Sequence, residues 1–572
     1  MNHASAETGA RTLVDTAIAE LAEGETRWAA LPLSGRRAML GEVRRRVGAH
    51  AREWVAAAAQ IKRLPADSPL VGEEWLSGPY ALASALGVLE NSLAALDAGR
   101  SPVESAHFGE ANGQATVQVV PLSAMDSLLL SGFSAEVWLR PGVGKAAAVA
   151  GAGLAQRTPQ DTRGIGVVLG AGNILSIAPL DVLYELLANN RVVALKLNPL
   201  TDPMLEAFTK IFTPFINLGA LRILTGGADV GGLLVEHPQV AHVHMTGSAA
   251  THDAIVWGTG QQAADRKAAG TPRLGKPITS ELGGVSPTII IPGKWSRADI
   301  TFQAQHVATQ RLHNGGYNCI ASQAVVISAE WGQKQEFLAA LRKALDTAPP
   351  REAYYPGSDD RMAAAAAAHP SAERLGEAGQ RLLITGLSTN DTAAVLEQEY
   401  FAPVLGVVEI EGTGREFLDR AAAAANERLA GTLGANVIAS PGTIRGLGPS
   451  FERFIASLSY GTIGINAWTA VGFLSPAATW GGFPGHTLDD VQSGIGVVHN
   501  ALLLADTERT VVRGPFRPSP RSLWHGELSL TPTPPWYVTN RTAAVTGERL
   551  TQFAADPRWR RVPAILGSAL RG

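Results

Sequence analysis

Residues 164–196 read GIGVVLGAGNILSIAPLDVLYELLANNRVVALK. The run Ile165-Gly166-Val167-Val168-Leu169 is short, apolar and glycine-bounded, which predicts a buried strand. A helix is expected over 181–190 and a second buried strand over 191–196. The alternation continues downstream, with a helix over 203–218 and strands over 222–224 and 241–245. Strands alternating with helices of this length predict an α/β fold built on a parallel sheet. A second α/β stretch is expected from about 281 to 480. Upstream, residues 34–61 carry apolar side chains at helical spacing. Pro65, Pro69 and Pro79 then interrupt that pattern. The runs 115–120 and 135–139 read as strands. Residues 363–368 are the only low-complexity piece and are placed mid-helix.

Composition narrows the function class. The chain has 572 residues, 46% hydrophobic and 17% charged, with a net charge of −3. That length predicts two or three domains. The charge balance offers no basic stripe for nucleic acid, and the run Arg44-Arg45-Arg46 reads as a solvated helix face. A single cysteine leaves no intrachain disulfide and no thiolate zinc site, and no metal site is expected. The amino-terminal stretch MNHASAETGARTLVDTAIAEL has acidic residues and no apolar core of a leader. No apolar run is long enough for a membrane span. A cytoplasmic protein without a membrane partner is the expectation.

Four segments carry chemistry. The cysteine sits in His313-Asn314-Gly315-Gly316-Tyr317-Asn318-Cys319, where paired glycines allow close backbone approach; taken alone it is equally a buried small hydrophobe. Glu281 precedes Leu282-Gly283-Gly284 in an apolar context, and a strand-end salt bridge is its other reading. Met245-Thr246-Gly247-Ser248 joins a strand to a helix, a geometry for holding an anion or simply an N-cap. Gly170-Ala171-Gly172-Asn173 suggests a dinucleotide fingerprint, but Leu175 replaces its third glycine and Lys196 its acid. A lysine there suits ribose hydroxyls or a 2′-phosphate.

In order, these segments resemble the aldehyde dehydrogenase superfamily. Further matches are Val193-Ala194-Leu195-Lys196, Ser286-Pro287, Glu399-Tyr400-Phe401-Ala402-Pro403, Ala425-Asn426, Gly461-Thr462-Ile463-Gly464-Ile465-Asn466 and Trp480-Gly481-Gly482. Together they cover roughly residues 20–500. The resemblance implies an α/β, aldehyde-dehydrogenase-like fold with a Rossmann-type cofactor domain, an α/β catalytic domain and a small β oligomerisation arm. It places the cofactor domain at 1–280 with the arm near 114–143, the catalytic domain at 281–480 and a closing oligomerisation segment at 481–504. The activity it implies is oxidation of an aldehyde to a carboxylic acid with NAD or NADP. Cys319 would be the thiolate nucleophile, passing through a thiohemiacetal and a thioester. Asn173 and the Cys319 N–H would hold the oxyanion, and Glu281 would activate water. Lys196, Gly231, Thr246, Gly247, Ser248, Glu399 and Phe401 would bind cofactor. The implied assembly is a homodimer or homotetramer.

The sequence also departs from the family pattern. No acid follows Lys196 in Leu197-Asn198-Pro199, which makes NADP acceptable. Phe483-Pro484-Gly485-His486 lacks the usual lysine. Residues 505–572 have no counterpart, and their Trp524, Trp536 and Trp559 are expected to pack on the body or on a partner subunit. A coenzyme A-acylating enzyme and a non-catalytic relative are the alternative readings.

Overall fold

The computed structural model describes residues 3–391 and 393–572; the first two residues of the amino-terminal stretch lie outside them. Two sheets organise the chain. The smaller runs in the order Leu221–Leu224, Val192–Lys196, Ile165–Leu169, Val240–Gly247, Ile278–Leu282 and Gly494–Ile495. Its first five strands are parallel, and the last is antiparallel. Every side chain of Val192–Lys196 is buried, as expected for a parallel strand covered on both faces. The long helices His3–Ala30 and Leu33–Ile61 and the helix Ala81–Asp97 contribute to the same core as this sheet. Leu33–Ile61 buries Leu40, Val43, Val47, Trp54 and Ala58, one stripe of a 3.6-residue repeat. Arg44 lies partly under the carboxy-terminal helix, with its Nε donating to the Ala554 carbonyl at 2.6 Å, so the arginine run is not wholly solvated.

The larger sheet has eleven strands. Its parallel centre comprises Thr507–Arg513, Thr462–Ile465, Gly434–Ile438, Pro287–Ile290, Ala324–Ser328, Val404–Ile410 and Arg381–Leu387. Alternate residues of these strands serve different cores. Val326 and Val408 belong to one, Val325, Ile327 and Val407 to another. The strands Ser134–Leu139, Gln114–Val120 and Phe108–Ala111 extend the sheet in antiparallel fashion beyond Thr507–Arg513. Among the described residues no helix is long and apolar enough to cross a membrane.

The boundary at 505 needs correction. Thr507–Arg513 is not peripheral, because it lies between Ser134–Leu139 and Thr462–Ile465 with Val511 and Val512 fully buried. Beyond it, the helix Ala543–Ala555 packs on Val71–Trp75 and Leu76–Tyr80 of the same chain. Gly547 permits this contact, since a Cβ there would sit 2.6 Å from that of Trp75. The tryptophans divide: Trp536 is buried at 7% exposure, but Trp524 and Trp559 remain 77% and 67% exposed. Only Trp536 faces into the body; the other two lie on short surface turns. The alanine run closes the helix Ser358–Ala368 rather than lying in its middle.

Deleting residues 506–572 should abolish cooperative folding. It removes a strand from inside the sheet, and burial of each valine alone is worth about 1.5–3 kcal/mol against a total stability of about 5–15 kcal/mol. Thermal unfolding followed by circular dichroism checks this; a truncated chain with an unchanged transition would refute it.

Candidate active site

The smaller sheet reverses its winding where Ile165–Leu169 neighbours both Val192–Lys196 and Val240–Gly247. A crevice opens at the carboxyl ends of parallel strands at such a point. Here it is a cavity of about 800 Å³. Lys196 ends one strand, and its carbonyl accepts the Gly170 N–H at 3.0 Å, which fixes the turn leading to Asn173. Gly172 lets that turn pass Asn198, since a Cβ would lie 2.9 Å from Asn198 Cγ. Thr246 and Gly247 end the neighbouring strand, and Ser248 follows it. Ser248 caps the helix Ala249–Val256 by accepting the Thr251 N–H at 3.2 Å. Gly231 lies on the helix Ala228–Glu236 across the crevice. All ten sequence-predicted site residues line this one cavity: Asn173, Lys196, Gly231, Thr246, Gly247, Ser248, Glu281, Cys319, Glu399 and Phe401.

The cysteine arrives on a strained loop. After the helix Arg297–Leu312 the chain takes three successive positive φ values, 54° at Asn314, 69° at Gly315 and 83° at Gly316. Glycine and asparagine tolerate that region best. Asn314 also repays the strain with its amide, donating to the Tyr317 carbonyl at 3.0 Å and the Asn173 carbonyl at 3.2 Å. Its Oδ1 accepts from Tyr354 at 3.0 Å, and its N–H donates to Glu73 at 3.0 Å. Glu73 pairs with Arg351, and beside them Lys62 pairs with Glu74 at 2.8 Å, both buried. Asn173 donates to the Tyr317 carbonyl at 3.0 Å. The predicted oxyanion residue and the cysteine loop are therefore tied together.

Three acidic groups share the far end of the cavity. Glu281 lies on Ile278–Leu282 against the Cys319 thiol. Burial pushes its carboxyl up to about 7, with the charge of Asp181 adding to the shift and the Cys319 thiol opposing it. Burial also pushes Glu399 up to about 8, against the pull of Arg311. The Cys319 thiol is held well above its ordinary value by burial and by these two carboxyls. Two carboxyls rather than a cation act on the sulfur, which disfavours its thiolate form in the free site.

The cavity suits a dinucleotide. Glu399 Oε1 is buried without a hydrogen-bond partner among the described residues, an acceptor directed at something with hydroxyls. Gly283 makes room for it, since any Cβ there would overlap the Glu399 carboxylate. At the other end, Gly227, Ala228 and Gly231 bring helix amino-terminal backbone to the wall. Asp202 and Asp229 both act on the Lys196 ammonium through their charge, although neither lines the cavity.

Residues 174–499 match the aldehyde dehydrogenase family. The chain belongs to the aldehyde dehydrogenase family. Among its curated relatives, coniferyl aldehyde dehydrogenase of Pseudomonas sp. (strain HR199 / DSM 7063) is 26% identical over 355 residues, covering 58% of this chain and 69% of the relative. D-glyceraldehyde dehydrogenase (NADP(+)) of Thermoplasma acidophilum is 25% identical over 214 residues, covering 34% of this chain and 40% of the relative. A mutant aldehyde dehydrogenase C from Pseudomonas syringae, solved with NAD+ and octanal, shares the fold with a TM-score of 0.59. The two are 17% identical over 89% of this chain and 90% of that one.

In this aldehyde dehydrogenase the sequence reading missed several residues around the site. Tyr355 and Arg361 line the cavity, and Tyr355 stacks on Tyr317 at 5.6 Å and meets Phe401 edge-on at 4.9 Å. Behind Glu281, Asp181 accepts from Thr246 at 3.1 Å and faces His244 at 3.5 Å. Asp181 and Glu185 lie four apart on an apolar helix, and His242 and His244 two apart on a strand. Those spacings put each pair on one face, a signal available in the sequence.

Iodoacetamide should alkylate Cys319 of the free enzyme with a pH midpoint above that of an ordinary thiol. Glu281→Gln removes the adjacent charge and should lower that midpoint by about one unit or more. Alkylation rates across a pH series read both; an unmoved midpoint in the variant would show that the carboxyl does not act on the thiol.

Proposed function

We propose that the chain oxidises an aldehyde to its carboxylic acid with NAD or NADP, using Cys319 as nucleophile and Glu281 as general base. The observation that carries this reading is the convergence of Cys319, Glu281 and Asn173 at one end of a dinucleotide-sized crevice. Glu399 would hold the nicotinamide ribose, Lys196 the adenine ribose, and Ser248 with its helix amino terminus the pyrophosphate. Phe401 would flank the nicotinamide, and Gly231 would lie by the adenine. When bound, the nicotinamide ring supplies acceptance of a hydride, which no side chain provides.

The residues account for the remaining steps. The Cys319 thiol gives its proton to the adjacent Glu281 carboxylate as Sγ attacks the carbonyl carbon. Asn173 Nδ2 and the Cys319 N–H hold the resulting oxyanion of the thiohemiacetal. Once the carbon has lost its hydride, a thioester on Cys319 remains. Glu281, deprotonated again, takes a proton from water, and the water oxygen displaces Sγ. Aldehyde, water and NAD(P)+ thus yield acid, NAD(P)H and a proton. Glu281 beside the sulfur favours hydrolysis over transfer to coenzyme A. Asp202 and Asp229 near Lys196 oppose a 2′-phosphate, which favours NAD over NADP. A homodimer or homotetramer is part of the same proposal.

Cys319→Ala should abolish turnover while leaving cofactor binding intact, read by absorbance at 340 nm and by titration with NAD+. In Glu281→Gln the pre-steady-state burst of NAD(P)H should slow, because the thiol has lost its proton acceptor, and steady-state turnover should fall further, about 10²–10⁴-fold. Equal loss of burst and steady state would give Glu281 a different role. A base must be unprotonated, and burial raises Glu281 to about 7. The wild-type steady-state rate should therefore fall as pH drops through 7, and a flat profile there would oppose the assignment.

A further inference from the structure

A second cavity reaches Cys319. It is narrow, about 40 Å³, and its walls include Ile174, Ile177, Trp468, Phe473, Trp480 and Trp536. Cys319 and Ile177 belong to both cavities. The lining holds no Lys, Arg, Asp or Glu. Of its polar members, Ser77 donates to the Glu73 carbonyl at 2.6 Å and Asn318 to the His313 carbonyl at 3.0 Å, while the Trp480 Nε1 is a neutral donor without a hydrogen-bond partner among the described residues. The His313 ring meets Trp468 edge-on at 4.9 Å. A charged group in this space would be desolvated without a partner.

One wall is brought by the carboxy-terminal extension. Trp536 meets Phe133 edge-on at 5.3 Å. The next residue, Tyr537, stacks on Phe302 at 5.5 Å and on His306 at 5.4 Å. The Val538 N–H donates to Thr309 Oγ1 at 3.4 Å. Residues 302, 306 and 309 form one stripe of the helix Arg297–Leu312, which leads directly into the cysteine loop. Asn540 folds the segment back on itself through the Thr533 carbonyl at 2.9 Å. The extension is thus pinned to the element that positions Cys319, with its indole in the cavity.

We propose that this cavity receives the tail of the substrate, that the substrate is an uncharged aldehyde with a hydrocarbon tail, and that Trp536 of the extension sets how long that tail can be. The proposal rests on Cys319 being the nucleophile. Removing the indole takes away part of the wall, so a longer tail gains room and a short one loses its contacts.

The test compares butanal, hexanal, benzaldehyde and dodecanal with succinic semialdehyde as a charged control. Wild-type kcat/KM for hexanal and benzaldehyde should exceed that for succinic semialdehyde roughly 100-fold. Trp536→Ala should raise the dodecanal-to-butanal ratio of kcat/KM at least about 10-fold. Trp536→Leu, which keeps an apolar side chain packed in the segment, should move the ratio the same way. Equal or better use of succinic semialdehyde would overturn the proposal. So would an unchanged ratio in a variant whose melting temperature is retained. Binding of hexanal to Cys319→Ala, followed by indole fluorescence, reads the cavity without turnover. Hexanal bound and succinic semialdehyde excluded there, with no NAD(P)H formed by the wild type, would sustain the cavity assignment and overturn the catalytic reading instead.

Discussion

Glu73 accepts the Asn314 N–H inside a pocket that also holds Arg351, Glu74 and Lys62, all removed from water. Ions so placed pay a desolvation cost of several kcal/mol each, recovered only when charge and hydrogen-bond geometry are both satisfied. Here two acids meet two bases, and the Glu73 Oε2 that pairs with Arg351 also accepts the backbone N–H of a left-handed residue. Everything downstream of Asn314 depends on that contact, because Gly315 and Gly316 continue the turn and Cys319 follows three residues later. The helical region that covers the smaller sheet thereby fixes a loop belonging to the larger one. Breaking one partner would leave a buried charge uncompensated, so the loop has no inexpensive alternative position.

The same economy governs the acids around the sulfur. Glu281, Glu399 and Cys319 are each less acidic than usual because each is buried, and the charges of the two carboxyls add to the effect at the sulfur. Full ionisation of all three would place like charges together in a poorly solvated site. The free site is therefore held near neutrality, and its reactive form is one in which a proton has moved rather than one standing ready. Asp181 and His244 behind Glu281 trim this balance in opposite directions.

Much of this was legible in the sequence. Buried parallel strands show as unbroken apolar runs, so Ile165–Leu169 and Val192–Lys196 were readable directly. Glycines that admit a neighbour, such as Gly283 beside Glu399, mark turns that a sequence motif captures. What escaped reading was long-range. Tyr355 and Arg361 reach the crevice from a segment with no periodic signature. Asp202 and Asp229 approach Lys196 across turns, where the neighbouring sequence shows only Leu197 and Asn198. The strand Thr507–Arg513 was assigned to an appendage because its neighbours in the sheet lie far away along the chain. Trp524 and Trp559 are exposed on this chain, and aromatic content alone does not reveal which way a short turn faces.

That strand bears on how the protein is made. Ser134–Leu139 and Gln114–Val120 leave the ribosome well before Thr507–Arg513, the neighbour that joins them to the parallel centre of the larger sheet. Until it follows, one hairpin edge and the edge of Thr462–Ile465, once it emerges, lack their shared partner. Open strand edges recruit other chains, and contacts this distant in sequence form slowly. The nascent chain thus carries two adhesive edges for a long interval, closed only when Thr507–Arg513 arrives. Pairing of either edge with another chain before then is the folding error that this strand order invites.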